Sequence, residues 1–167
     1  MTEATGLSRI YLEPGDLVFS LEQAEIATIL GSCIAVVLYS SKHQVGTICH
    51  AMLPYNIRPQ ERPERKDFKY VDSAIHYMVA RFDAHRIKRH NLIAKVFGGA
   101  DVLRAATNVR LKSVGQQNIE SALAVLGSYR LRIVASDVGG DRGRKLVFFP
   151  HTGQVFLKRL SKSLREI

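Results

Sequence analysis

Apolar residues recur along the chain in two patterns, one typical of helices and one typical of strands. A stripe with spacings of three and four residues runs through Val71, Ala74, Ile75, Met78, Val79 and Phe82, which predicts an amphipathic helix. A second stripe comprises Ile119, Ala122, Leu123 and Leu126 and ends near Gly127. Short apolar, β-branched runs predict strands at residues 10–12, 17–19, 26–30, 34–39, 45–53, 92–97, 131–138, 146–149 and 155–160. This order of elements predicts an α+β fold rich in antiparallel hairpins.

Length and composition favour one globular domain over residues 1–167. The chain has 167 residues, 46% of them apolar and 23% charged, with neither an internal repeat nor a linker long enough to divide it. It lacks an apolar run of the roughly 20 residues that cross a bilayer. Residues 1–10 do not resemble a secretion signal. We therefore expect a cytoplasmic protein that is not inserted in a membrane.

The balance of charge is strongly basic, with 24 Lys and Arg against 15 Asp and Glu and a net charge of +9. Such an excess attracts nucleic acid, anionic lipid or an acidic protein, without choosing among them. Residues 81–95 are basic but lack the interleaved stacking aromatics of single-strand binders, so we expect a solvated face and no nucleic-acid partner. The glycine-rich segments 97–101 and 139–144 lack the spacing of nucleotide-binding loops and are interpreted as tight turns.

The spacing of residues around a predicted hairpin places a cysteine beside a histidine. If residues 40–43 form a four-residue loop, Tyr39 lies opposite Gln44, and the same register places Cys33 directly opposite His50. Directly opposed residues share a face of the sheet, with Cβ atoms roughly 4.5–5.5 Å apart. Cys49 points to the other face, where it is expected to be structural. With only two cysteines and no CxxC motif, we expect free thiols and no metal site.

A thiol beside an imidazole is the minimal pair of nucleophile and base. The small residues Gly31 and Ser32 allow backbone N–H groups to approach a substrate carbonyl and act as an oxyanion hole. Thr28 is placed to orient the second imidazole nitrogen with its hydroxyl. A free cysteine on a strand is also commonly a small buried apolar residue, so spacing alone leaves both interpretations open.

Several blocks of the sequence, in order, resemble the CheD family of chemoreceptor glutamine deamidases. They are Leu30–Cys33, Val45–Gly46, His50–Pro54, Val96–Ala100, Val114–Gly115 with Asn118, Asp137–Arg144 and Thr152–Gly153. The resemblance covers residues 17–160. It implies a layered sandwich of two packed, mainly antiparallel sheets with outer helices, similar to cysteine-dependent deamidating toxins.

The resemblance also implies an activity and its residues. The family converts selected glutamines of methyl-accepting chemotaxis receptors to glutamates, and its catalytic cysteine and histidine correspond to Cys33 and His50. The family's supporting threonine stands six residues before the cysteine, where this chain has Ala27, and Thr28 is the nearby candidate. No cofactor or metal is implied. Some members also bind a CheC-type phosphatase.

Three other interpretations remain open. The chain is alternatively a non-enzymatic adaptor for a CheC-type phosphatase, a basic nucleic-acid-binding module, or a hydrolase of receptor glutamyl methyl esters that uses the same two residues.

The net charge of +9 predicts electrostatic steering to acidic receptor helices, weakened by salt. Residues 56–69, a polar stretch with Pro59 and Pro63, predict an exposed loop that contacts the substrate.

Overall fold

The computed structural model describes residues 6–57, 68–102 and 111–161. Their strands are β1 (Ser8–Tyr11), β2 (Leu17–Ser20), β3 (Ala24–Leu30), β4 (Ile34–Ser40), β5 (Val45–Ala51), β6 (Ile93–Gly98), β7 (Arg132–Val138), β8 (Arg144–Phe149) and β9 (Gln154–Arg159). Their helices are α1 (Val71–Ala84), α2 (Val114–Ser128) and a short 3₁₀ helix, Arg89–Asn91. Each strand and both helices predicted from the pattern of apolar residues are present, with ends shifted by a few residues.

The strands form two mixed sheets. One has the order β2-β5-β4-β6-β7 and the other β1-β3-β8-β9. Five of the seven strand pairs in the described chain are antiparallel, and β1–β3 and β6–β7 are parallel. The expectation of mainly antiparallel sheets is therefore confirmed.

Two apolar layers hold the molecule together. One lies between the sheets, where Ile26, Leu30, Leu146 and Phe148 of the smaller sheet meet Ala35, Val37, Ile48 and Phe97 of the larger. The other packs α1 and α2 on the opposite face of the larger sheet. The strands of the larger sheet that are covered on both faces read as continuous apolar runs; β4 is buried at every residue. The result is a three-layer α+β sandwich with the helices outside.

The antiparallel hairpin of β4 and β5 departs from its predicted register. Ser40 pairs with Val45 and Ala35 pairs with His50, so the four-residue turn is 41–44 and not 40–43. The prediction that Cys33 lies directly opposite His50 is therefore wrong by two residues.

A close approach between the sheets explains the observed register. A Cβ on Gly46 would lie 2.7 Å from Phe148 Cζ and 2.9 Å from Pro150 O, so only glycine fits under this end of β8. Gly46 is thereby fixed opposite Tyr39, in the place predicted for Gln44. Gln44 instead takes a positive φ of 53° in the turn.

Among the described residues, no helix is long and apolar enough to cross a membrane.

Candidate functional site

The site lies at one end of the inner strands β4 and β5 of the larger sheet, where β4 begins and β5 ends. Cys33 immediately precedes β4, and His50 is the penultimate residue of β5, opposite Ala35. A register shift of two residues leaves each side chain on its predicted face. Cys33 is partly buried against the apolar layer between the sheets, and His50 is 2% exposed. Cys33 is thus a diagonal neighbour of His50, a relation with Cα atoms about 7–8 Å apart.

Thr28 reaches His50 from the other sheet. The Thr28 hydroxyl donates to the Leu12 carbonyl over 2.7 Å, and its oxygen lies 2.8 Å from His50 Nδ1. A hydroxyl has one proton to donate, and Leu12 O can only accept one. His50 Nδ1 must therefore carry the proton that it shares with Thr28 Oγ1. This assigns the neutral imidazole the tautomer whose Nε2 is free to accept a proton.

Burial favours the uncharged form of both groups. It raises the pKa of Cys33, an effect opposed by the residue's own backbone N–H. Burial also lowers the pKa of His50, which the Leu12 carbonyl and the charge of Asp16 partly offset. A neutral thiol and a neutral imidazole are therefore the resting pair at neutral pH. No hydrogen bond joins the two side chains among the described residues, a separation that unliganded sites often show.

We expect Cys33 to react with iodoacetamide at a rate that keeps rising with pH above about 8.5, the ordinary pKa of a free thiol, because the thiolate is the reacting species. Cys49 is the internal control: it is fully buried on the helical face, and burial raises its pKa to about 12. Peptide mass spectrometry of the native protein should find one alkylated cysteine. A plateau of the Cys33 rate at neutral pH would contradict the assignment of a neutral thiol.

The backbone around Cys33 is held by β6 and the residues after it. Gly99 N–H donates to the Cys33 carbonyl over 2.8 Å, and Ala100 N–H donates to the Gly31 carbonyl over 3.0 Å. Gly98 has a φ of +106°, and a Cβ there would lie 2.3 Å from Cys33 O. Only glycine therefore allows this approach. The turn before the cysteine is fixed through its carbonyls.

Asn118 of α2 is a residue whose role the sequence did not reveal. Its side chain is fully buried, and Nδ2 donates to the carbonyls of Ser32 and Met52, each over 3.0 Å. Asn118 thereby connects the chain entering β4 to the chain leaving β5. In a trans peptide the carbonyl and the N–H point in opposite directions, so fixing the Ser32 carbonyl also fixes the Cys33 N–H.

The backbone N–H groups of Ser32 and Cys33 are available as donors. Within the described part of the chain, neither donates to a backbone carbonyl. Ser32 is exposed and Cys33 is partly exposed. The sequence predicted the oxyanion hole at Gly31 and Ser32; in the structure Gly31 accepts a hydrogen bond from Ala100 N–H through its carbonyl, and the role of the Ser32 N–H stays a prediction.

The block Asp137–Arg144 has a structural role that its sequence did not disclose. Arg144 is 3% exposed. Its guanidinium donates to Asp137 Oδ1 over 2.6 Å and to the Gly139 carbonyl over 2.8 Å. Asp137 Oδ2 also accepts a hydrogen bond from Arg159 Nη2 over 2.7 Å. This ion-pair network connects β7 of the larger sheet to β8 and β9 of the smaller sheet. The loop after β7 is thereby anchored near Gly98, whose carbonyl accepts from Gly139 N–H over 2.9 Å.

Apolar side chains are exposed on the chain segments next to the site. These side chains come from the end of β5, the chain after β6 and the start of α2, and they are Met52, Leu53, Val102 and Val114. An exposed apolar patch rimmed by polar groups marks a site of protein contact. Tyr55 and Ile57, which follow Leu53 in the chain, are also exposed. The predicted substrate-contacting segment 56–69 begins here, but residues 58–67 lie outside the described residues.

The sequence of this chain is similar to a known protein family and to several of its members. Residues 52–159 match the family described as CheD, chemotactic sensory transduction. The chain is 40% identical over 157 residues to a probable chemoreceptor glutamine deamidase CheD 2 of Geobacter sulfurreducens, covering 94% of this chain and 93% of that protein. It is 34% identical over 163 residues to a probable chemoreceptor glutamine deamidase CheD of Maridesulfovibrio salexigens, covering 95% of each.

Proposed function

The chain belongs to the CheD family, and from that premise we propose that it hydrolyses glutamine side chains of chemoreceptors to glutamate and ammonia, with Cys33 as nucleophile. One observation carries the proposal. The bond between Thr28 Oγ1 and His50 Nδ1 leaves His50 Nε2 as a base in the layer that also holds Cys33. Nucleophile, base and orienting group are the three roles that such a site needs.

Acylation begins with transfer of the Cys33 thiol proton to His50 Nε2. The sulfur attacks the side-chain carbonyl carbon of glutamine, and the resulting oxyanion receives hydrogen bonds from the N–H groups of Ser32 and Cys33. The imidazolium returns the proton to the amide nitrogen, the C–N bond breaks, and ammonia leaves a thioester on Cys33. One oxyanion donor contributes about 10²–10³-fold to such a step.

Deacylation uses the same groups in reverse. Neutral His50 takes a proton from water, the hydroxide attacks the thioester carbonyl, and the C–S bond breaks as the proton returns to sulfur. The sum is one glutamine amide and one water converted to one glutamate and one ammonia. General acid–base catalysis of this kind is worth about 10²–10⁴-fold.

The surroundings of the site suit a protein substrate. The exposed residues Met52, Leu53 and Val102 offer apolar contact to a helical region presenting a glutamine. The relatives are named for chemoreceptors, and we propose that the substrate is a cytoplasmic helical region of such a receptor and that this chain acts in the cytoplasm.

Thr28→Val removes the hydroxyl that accepts from His50 Nδ1 while keeping the shape of the side chain. We expect kcat to fall about 10–10²-fold, a part of the roughly 10²–10⁴-fold that acid–base catalysis supplies, with KM unchanged because Thr28 is buried away from solvent. Steady-state ammonia release measures both constants. Thr28→Ser is the matched control and should recover most of kcat. Wild-type kcat in Thr28→Val would remove Thr28 from the mechanism.

The proposed activity is tested by incubating a recombinant cytoplasmic fragment of a chemoreceptor with the protein or with Cys33→Ala, followed by peptide mass spectrometry. Conversion of glutamine to glutamate by the wild type alone supports the proposal. A fragment carrying glutamyl methyl esters tests ester hydrolysis in the same assay. If neither is converted and a CheC-type phosphatase is still modulated by both proteins, the chain is the non-enzymatic adaptor.

A further inference from the structure

A basic pocket lies at the end of the molecule opposite Cys33. It has a volume of about 310 Å³, and its cationic lining comes from Lys42, Arg89, Arg130 and Arg132, with His90 beside them. The turn after β4, the chain before β6 and the start of β7 meet there, because Tyr39 pairs with Ile93 and Ile93 with Arg132. The seven residues of β4 separate this pocket from Cys33, a distance of about 23 Å at 3.3 Å per residue.

Most of the charge in this basic pocket has no protein counter-ion. Arg89 is held by Asp83, with 2.8 Å between Nη2 and Oδ2, and its guanidinium stacks over Tyr129. Lys42, Arg130 and Arg132 make no ion pair or side-chain hydrogen bond within the described part of the chain. A fixed arginine beside three unpaired cations creates a positive field in a concave site.

The end of helix α2 fixes the backbone of Arg130. Helix α2 ends in a Schellman motif, in which Arg130 N–H donates to Gly127 O and Leu131 N–H donates to Leu126 O. Arg130 occupies the left-handed position of this motif, with a φ of 55°, where glycine is the usual residue. An arginine there carries backbone strain.

Helix α1 ends in the same motif. Arg86 N–H donates to Asp83 O and Ile87 N–H donates to Phe82 O, with Arg86 at a φ of 58°. Arg86 is exposed and does not line the pocket. Both arginines complement the negative end of a helix dipole, so their placement for helix stability is alike. Only their relation to the pocket differs, which makes Arg86 a matched control.

We propose that the basic pocket binds a phosphate group. One carboxylate needs one cation, whereas the three unpaired cations around this cavity suit an anion with more than one charge. Arginine also presents two parallel N–H donors that match two phosphate oxygens. The pocket is concave and the size of a headgroup, which fits the phosphate of a small molecule or of a lipid. This site is independent of the proposed deamidase reaction.

Arg130→Gly separates anion binding from stability because the two change in different directions. Inorganic phosphate is titrated into the full-length protein at constant ionic strength and followed by calorimetry. We expect Arg130→Gly and Arg132→Gln each to weaken binding about tenfold or more, the loss of one charge-assisted contact. The melting temperature of Arg130→Gly should stay unchanged or rise, by up to about 4 °C, because glycine accepts this backbone conformation.

Arg86→Gly should show the same thermal effect and bind phosphate as the wild type does. Equal weakening in Arg86→Gly, or no phosphate binding by the wild type, would overturn the proposal. Vesicles of neutral lipid with and without phosphatidylglycerol identify the source of the phosphate. Binding to the anionic vesicles that is lost in Arg130→Gly assigns a lipid headgroup, whereas phosphate binding without vesicle binding assigns a soluble phosphorylated ligand.

Discussion

Replacing Cys33 by alanine is expected to lower ammonia release from a chemoreceptor fragment about 10⁴-fold or more, to the level of the uncatalysed reaction. No other group at the site can form the thioester: Cys49 is fully buried on the opposite face of β5. Removing a covalent nucleophile costs far more than removing a group that only orients it. The assay measures ammonia by a coupled enzyme at saturating fragment.

Two controls keep the Cys33→Ala result specific. Cys49→Ala should retain the wild-type rate if the fold tolerates the small cavity, which a melting curve reports separately. The Cys33→Ala protein should also keep its affinity for the receptor fragment, because the apolar surface around Met52 and Leu53 is unchanged. An active Cys33→Ala protein would show that the nucleophile lies elsewhere.

Replacing His50 by glutamine is the second large effect, an expected loss of about 10²–10⁴-fold in kcat. Glutamine retains a polar group near Thr28 but cannot accept the thiol proton. His76→Gln is a matched control, because His76 is exposed on α1 and hydrogen-bonded to Tyr129 instead of the site. Little loss in His50→Gln, or an equal loss in His76→Gln, would contradict the assigned base.

The pH profile provides a separate test of His50. The imidazole must be neutral to accept a proton, and burial lowers its pKa below its usual range near 6.5. Activity should therefore persist as pH falls past about 6.5 and decline only when pH passes through the lowered pKa of His50. The residual activity of His50→Gln should lack this acidic limb. A wild-type profile that already declines well above pH 6.5 would contradict a neutral, buried base.

The sequence pattern was sufficient for the elements and for the faces of the site. Helical stripes gave α1 and α2, and alternation placed Cys33 and Cys49 on opposite faces, as observed. The hairpin register was missed by two residues because it is set by contact between sheets. Gly46 must lie beneath Phe148 and Pro150, about 100 residues away in the chain. The residues of the turn itself do not encode that contact.

The contacts that complete the site are also long-range. Leu12 and Asn118 act through a backbone carbonyl and a buried amide, and neither is recognisable as functional from its neighbours in sequence. Arg144 looked like part of a glycine-rich turn, yet it anchors the loop after β7 across the two sheets. Thr28 was identified from spacing and does contact His50. Its part in catalysis stays a prediction.

The most direct test of the central claim is the reaction in heavy-oxygen water with a chemoreceptor fragment as substrate. Peptide mass spectrometry should find one heavy oxygen in each newly formed glutamate, ammonia released in equal amount, and no labelled glutamate with Cys33→Ala. Hydrolysis of a Cys33 thioester by water requires this outcome. Unlabelled or absent glutamate from the wild type, with the fold and the Cys33 thiol intact, would contradict the proposed deamidation.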